Sequence, residues 1–266
     1  MIAVTTSTHP PPTLEAQAKS LAVELTAPYI ARLGRGLPEL ATSAQASRLL
    51  IVGADRLRLR DTATGTEYFY HPNMFQIRAA GALRGEPDHF LQATELRPGE
   101  SLLDCTLGFA SEAALAALTV GETGSVVGLE SNRDLALITR LGLQSFHLQR
   151  PAMEAALRRV QVAASDYRDT LHACEARSFD VVYFDPFFPE RLAGSEASVS
   201  PLFVFGNQTP LDPEAVREAR RVARRSVVIK HPSQEPLPSL VRSWVTKTVG
   251  GRKSRLTYSV IDVTAE

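Results

Sequence analysis

From Ser101 to Lys230 the chain alternates short apolar runs with stretches patterned as helices: SLLDCT, SEAALAALTV, GSVVGLE, a helical stretch near 132–142, the run Asp180 to Asp185, a helix over 213–225 and then SVVIK. Strands separated by helices are joined by crossover connections, and these build a parallel sheet covered on both faces. The C-terminal end departs from the alternation. A helix near 237–246 leads into TKTV, GGRKSR and LTYSVIDV, which read as two strands around a short Gly-rich turn and are therefore antiparallel. The expected architecture is an α/β, Rossmann-like, mostly parallel sheet ending in an antiparallel hairpin.

The first part of the chain is organised differently. IAVTTS and RLLIVGADRLRLRD read as strands, and residues 13–26 place Leu14, Ala18, Leu21 and Leu25 on one helical face. In DTATGTEYFY, Gly65 among threonines marks a hairpin turn with an aromatic return strand. We expect a small α/β domain over residues 1–75 and the domain of the large sheet over 76–266, with RPGE (97–100) as the turn ahead of its first strand.

Composition removes several classes of function. With 266 residues, 44% apolar and 22% charged, the chain has the make-up of a globular protein with a sizeable core. No stretch approaches the ~20 apolar residues of a membrane helix, and MIAVTTSTHPPP lacks the basic and apolar parts of a signal peptide, so a cytoplasmic protein is expected. Two cysteines, Cys105 and Cys174, and six scattered histidines form no metal-binding pattern, so no metal site is expected. A net charge of zero argues against a purely electrostatic grip on nucleic acid. The arginines at 217–225 and the cations at 247–255 are nevertheless clumped, either as a solvated helix face or as phosphate contacts.

In open α/β sheets ligands bind beyond the carboxyl ends of the strands. Four acids fall there: Asp104, Glu130, Asp166 and Asp185. After Asp104, the run Cys105 to Glu112 is a tight turn opening a helix, with Thr106 and Gly108 in the turn and Ser111 and Glu112 at the helix start. This is not G-x-G-x-x-G, so a pyrophosphate cofactor lacks its usual cradle. Glu130, 26 residues after Asp104, is either an acid that caps or faces solvent before SNRD, or a hydrogen-bond acceptor for two ribose hydroxyls. With Asp104 and Asp166 on the same edge, a nucleoside-containing cofactor is expected. S-adenosylmethionine fits, because it offers ribose, adenine and a sulfonium without phosphate.

Asp185-Pro186-Phe187-Phe188 then supplies the chemistry. It has the form of the (D/N)-P-P-(Y/F) motif of methyltransferases acting on exocyclic amines. Such an amine is a poor nucleophile because its lone pair is delocalised into the ring. The Asp185 carboxylate and the Pro186 carbonyl can accept both of its N–H groups and aim the lone pair. Phe187 or Phe188 offers a face for a splayed-out base, worth about 1–3 kcal/mol. The competing reading is a turn after a buried strand with two core phenylalanines. Lys230, ending the next strand, is either a snorkelling lysine or a substrate contact. The loop 190–210, with Phe203 and Phe205, reads as a lid or as a packed loop.

The runs LLDCTLGFASEA, GLES, DPFFPE, LDPEAVREARRVARR and VVIKHP together resemble the RsmJ-like family of bacterial S-adenosylmethionine-dependent methyltransferases, across nearly the whole chain. AVTTS and YFYHPNM look closer to a less characterised branch of that group. The resemblance implies a class I methyltransferase fold and transfer to the N2 amine of a guanine in small-subunit ribosomal RNA. It further implies cofactor contacts at Ser111, Glu112, Glu130, Ser131, Ser165, Asp166 and Asp185. The chain departs from the family pattern at Ala110 and Ser111, where a second glycine and an arginine are expected, so the methionine end of the cofactor is held differently. The alternatives are a methyltransferase acting on tRNA, a protein or a small molecule, and a non-catalytic module that binds RNA or the cofactor.

Overall fold

The computed structural model describes residues 1–187, 201–250 and 255–264. The N-terminal part comprises β1 (Ile2–Thr6), α1 (Pro12–Glu24), α2 (Leu37–Ser43), β2 (Arg48–Val52), β3 (Leu57–Asp61) and β4 (Glu67–Tyr68). Its four strands lie in sequence order, with β1 parallel to β2 and the remaining pairs antiparallel. Helix α1 buries Leu14, Ala18 and Leu21 as its spacing requires, but it stops at Glu24. Thr26 takes a left-handed conformation (φ 53°), which ends the helix and leaves Leu25 as its cap.

Helices α3 (Asn73–Leu83) and α4 (His89–Thr94) lead to the second sheet, and the boundary expected at 75/76 falls inside α3. The succession is then β5 (Ser101–Asp104), α5 (Ser111–Val120), β6 (Ser125–Glu130), α6 (Arg133–Ser145), α7 (Pro151–Arg159), β7 (Val160–Ala164), α8 (Tyr167–Ala173) and β8 (Phe179–Phe184). It closes with α9 (Pro201–Phe205), α10 (Pro213–Val222), β9 (Ala223–Pro232), α11 (Ser239–Ser243), β10 (Lys247–Val249) and β11 (Leu256–Asp262). The seven strands run in the order β10-β11-β9-β8-β5-β6-β7. The five from β9 to β7 are mutually parallel, and β11 is antiparallel to both neighbours. This is the class I methyltransferase arrangement. Strand order reverses beside β5, which places the crevice above β5 and its neighbours.

Side-chain alternation explains why both sheet faces are dry. Leu102, Val126, Val181, Tyr183 and Val228 join one apolar cluster, while Leu103, Leu129, Val182, Phe184, Val227 and Ile229 join the other. The first cluster also contains α5, α7 and the inner face of the N-terminal sheet, through Val4, Leu50, Val52, Leu59 and Tyr68. The small sheet therefore shares a core with the large one. The second cluster is closed by α8, α10 and α11.

The sequence pattern extends the helix of 213–225 three residues too far. Ala223 instead pairs with Phe179 of β8 and opens β9. Arg224 and Arg225 thus belong to a strand, where ladder pairing outweighs their helix propensity. Among the described residues, no helix is long and apolar enough to cross a membrane.

Candidate active site

Each parallel strand delivers its last residues to one edge, and the turns beyond them line a cavity of about 480 Å³. From β5 come Thr106, Gly108, Ser111 and Glu112; from β6, Glu130 and Ser131; from β7, Ser165; from β8, Asp185, Pro186 and Phe187; from β9, Lys230. The turn after β5 depends on glycine at Gly108 (φ 50°). Its carbonyl accepts hydrogen bonds from Thr139 Oγ1 (3.2 Å) and Tyr68 OH (3.4 Å). Beneath the turn, Leu107 fills the space above Gly128, where a Cβ would come within 2.3 Å of Leu107 Cδ1.

Asp104 does not reach the cavity wall. It is 1% exposed, and its Oδ1 accepts from Thr106 N at 3.0 Å. Burial pushes its carboxyl up to about 8, against the hydrogen bond from Thr106. Thr106 Oγ1 in turn accepts from Asp185 N at 2.6 Å, locking the exits of β5 and β8 together. Lys230 Nζ lies 2.7 Å from Asp185 Oδ2 and 3.0 Å from Glu112 Oε1. Burial opposes the charge of Lys230, but Glu112 and Asp185 outweigh it and hold its pKa above the ordinary value. Glu112 is likewise opposed by burial and held below the usual carboxylate range by Lys230 and Arg78.

Arg78, on α3, lines the same cavity and closes this network. Its Nη1 donates to Glu112 Oε1 at 2.8 Å, and its Nε and Nη2 grip Asp88 at 2.8 and 3.0 Å. At the β6 tip, Glu130 Oε1 accepts from Asn132 N at 2.9 Å, and burial raises its carboxyl. Ser165 shares a 2.8 Å hydrogen bond with Thr170 Oγ1. Asp166 stands outside the cavity wall, capping α8 through Arg168 N (2.9 Å) and pairing with the Arg168 guanidinium at 2.7 Å.

Phe187 lines the cavity, whereas Phe188 and the loop residues 188–200 lie outside the described residues. The end of that loop packs down: Phe205 is buried, its carbonyl accepts from Asn132 Nδ2 at 2.8 Å, and Gly206 and Asn207 line the cavity. Three arginines of the run are engaged away from this edge. Arg221 donates to the carbonyls of Leu171 and Cys174, Arg224 meets Asp180 and Ser101, and Arg225 meets Glu100 and Thr94. Ser101 and Asp180 begin β5 and β8, so these cations brace the edge opposite the cavity. Lys247 pairs with Glu95, and residues 251–254 are outside the described residues.

Sequence reasoning missed Arg78, Met74 and Tyr258, all of which line the cavity. Arg78 and Met74 sit in a helix outside the strand-end pattern, and Tyr258 reads as an ordinary strand aromatic. Burial pushes the Tyr258 phenol up to about 12.

A doubly covered sheet of this order, with an acid at the β6 tip (Glu130), a glycine turn at Gly108 and an acid-proline pair after β8, has the layout of a class I methyltransferase. Residues 37–260 match the family described as "Putative SAM-dependent methyltransferase", and the chain belongs to that family. It is 40% identical to YpiP, an uncharacterized protein of Bacillus subtilis, over 88% of this chain and 90% of that one. It is 30% identical to ribosomal RNA small subunit methyltransferase J of Thioalkalivibrio sulfidiphilus (84% and 86% covered) and 27% identical to that of Coxiella burnetii (89% of each). A SAM-dependent methyltransferase structure from Neisseria gonorrhoeae superposes with a TM-score of 0.64 at 15% identity, covering 100% of this chain and 97% of that one. The protein is an S-adenosylmethionine-dependent methyltransferase.

Proposed function

We propose that this enzyme methylates the N2 amine of a guanine in small-subunit ribosomal RNA, working in the cytoplasm. The observation that carries the reading is the fixed Asp185-Pro186 pair on the cavity wall, held by Thr106 through the Asp185 amide and by Lys230 through its carboxylate. Relatives named as ribosomal RNA small subunit methyltransferases, aligned over most of the chain, support the substrate class.

When bound, S-adenosylmethionine supplies an electrophilic methyl on a sulfonium. Glu130 and Ser131 hold the nucleoside end at the β6 tip, with Ser165 beside them. Gly108 lets the backbone come close, and Ser111 and Glu112 stand at the start of α5. On the substrate side, the Lys230 ammonium donates to Asp185 Oδ2 at 2.7 Å and fixes that carboxylate in place. The Asp185 carboxylate and the Pro186 carbonyl accept the two N–H groups of the amine, turning its lone pair out of conjugation. A proline at this position stiffens the backbone and brings no competing donor. Phe187 offers the stacking face for the flipped base.

The test is incubation of the protein with methyl-labelled S-adenosylmethionine and unmethylated small ribosomal subunits, followed by mass identification of the labelled nucleoside. Label is expected in N2-methylguanosine. Asp185→Asn is expected to lower the rate by about 100-fold or more, since it removes an oriented carboxylate acceptor. Label in another nucleoside, or none despite cofactor binding, overturns the guanine-N2 assignment.

A further inference from the structure

S-adenosylmethionine has a zwitterionic amino-acid end as well as a nucleoside, and Glu130 with its neighbours accounts only for the nucleoside. The cavity carries a second charged group of residues toward β9, formed by Arg78, Glu112 and Lys230. A guanidinium has five N–H donors. Three of those on Arg78 have acceptors, from Nε and Nη2 to Asp88 and from Nη1 to Glu112, which among the described residues leaves one N–H on each terminal nitrogen. Arg78 is also fixed before any ligand arrives. Asp88, its bidentate partner, is itself anchored as the cap of α4 by Phe90 N (2.9 Å) and Leu91 N (3.2 Å), and the Phe90 ring lies 5.8 Å from the guanidinium carbon. The arginine side chain is only 16% exposed.

The neighbouring start of α5 carries no side-chain cap: Ala110 holds the N-cap position in a left-handed conformation (φ 56°). A guanidinium with open donors beside uncapped helix amides is a place for a carboxylate. Glu112, set between two cations, is the matching acceptor for an ammonium. We propose that Arg78 is a cofactor-binding residue that receives the α-carboxylate of S-adenosylmethionine, while Glu112 receives its α-ammonium. Lys230 then turns wholly to Asp185. The methionine end is thus gripped by α3, from outside the strand-turn-helix succession that holds the rest of the cofactor.

The test is a binding cycle read by calorimetry without RNA, so that it stands apart from the identity of the methyl acceptor. Wild-type and Arg78→Gln proteins are each titrated with S-adenosylmethionine and with its decarboxylated analogue. The wild type is expected to prefer the intact cofactor by about 10- to 100-fold, the worth of a charge-assisted hydrogen-bonded pair. In Arg78→Gln that preference is expected to shrink to within about threefold, with the affinity of the analogue itself little changed. If Arg78→Gln does not fold, Arg78→Lys is measured in the same cycle and is expected to show a reduced preference, since a point charge replaces the fork. A preference that survives in the folded variant overturns the assignment. So does an equal loss for both ligands, which marks a structural role, or a collapse in Lys230→Gln that Arg78→Gln does not share.

Discussion

Asp104 is a carboxyl group that burial keeps protonated near neutrality, with a pKa of about 8. An unfolded aspartate loses its proton near pH 4. Between these values the folded protein holds a proton that the unfolded chain has released, so this group's contribution to stability is full below about pH 4 and is lost as pH rises through 8. Glu130, also raised by burial, adds a slope of the same sign. Asp104→Asn keeps the acceptor for Thr106 N and removes the titration. Its melting temperature without cofactor is expected to exceed that of the wild type at pH 8 by more than about 3 °C, the effect of roughly 1 kcal/mol in a chain of this length. Calorimetric melts at pH 5 and pH 8 check this, and a gap that does not widen with pH would disprove it. Cofactor affinity should move the other way. The ionised form of Asp104 favours a positive ligand nearby, so wild-type affinity is expected to rise as pH passes 8, and Asp104→Asn is expected to lose that rise.

At the scale of elements, the turn after β5 is shaped from below by β6. Gly128 leaves room for Leu107, and Leu107 N donates to Leu129 O at 3.0 Å, so the two strand exits are held together by packing and one backbone bond. Gly128→Ala forces Leu107 upward into the turn that carries Gly108. A cost of about 1–3 kcal/mol is expected, as for other overpacked cores, with a loss of cofactor affinity of about tenfold or more. Urea unfolding and cofactor titration measure the two effects, and a variant as stable and as tight-binding as the wild type would refute this account of the turn. The end of α10 is a second case in which neighbours decide. The arginine-rich stretch LDPEAVREARRVARR is helical by composition throughout, yet Ala223 to Arg225 pair with β8 or project from β9. Their guanidinium groups tie loops and strand starts together on the edge away from the cavity.

For the whole molecule, the two sheets share one apolar cluster, which holds Leu59 and Tyr68 from the first together with residues of α5, α6 and α7. At the seam, Gly142 on α6 lies against Tyr70, where a Cβ would come within 2.3 Å of the ring. The full chain is therefore expected to unfold in a single calorimetric transition, and residues 76–266 expressed alone are expected to lose cooperative melting or to aggregate. Two separated transitions, or a well-folded fragment, would show the sheets to be independent. The mostly parallel sheet, the closing hairpin and the placing of Thr106, Gly108, Ser111, Glu112, Glu130, Ser131, Ser165, Asp185, Pro186, Phe187 and Lys230 beyond the strand ends were legible in the sequence, because strand periodicity and strand-end position are local properties of the chain, whereas the order of the strands was not. Tertiary structure alone decided that Asp104 is sealed beneath the wall, that Arg221, Arg224 and Arg225 brace the far edge, and that Arg78 reaches across to Glu112. Each of these depends on which partner stands opposite a side chain, and in Arg78 and Glu112 those partners are 34 residues apart, beyond the reach of any local pattern.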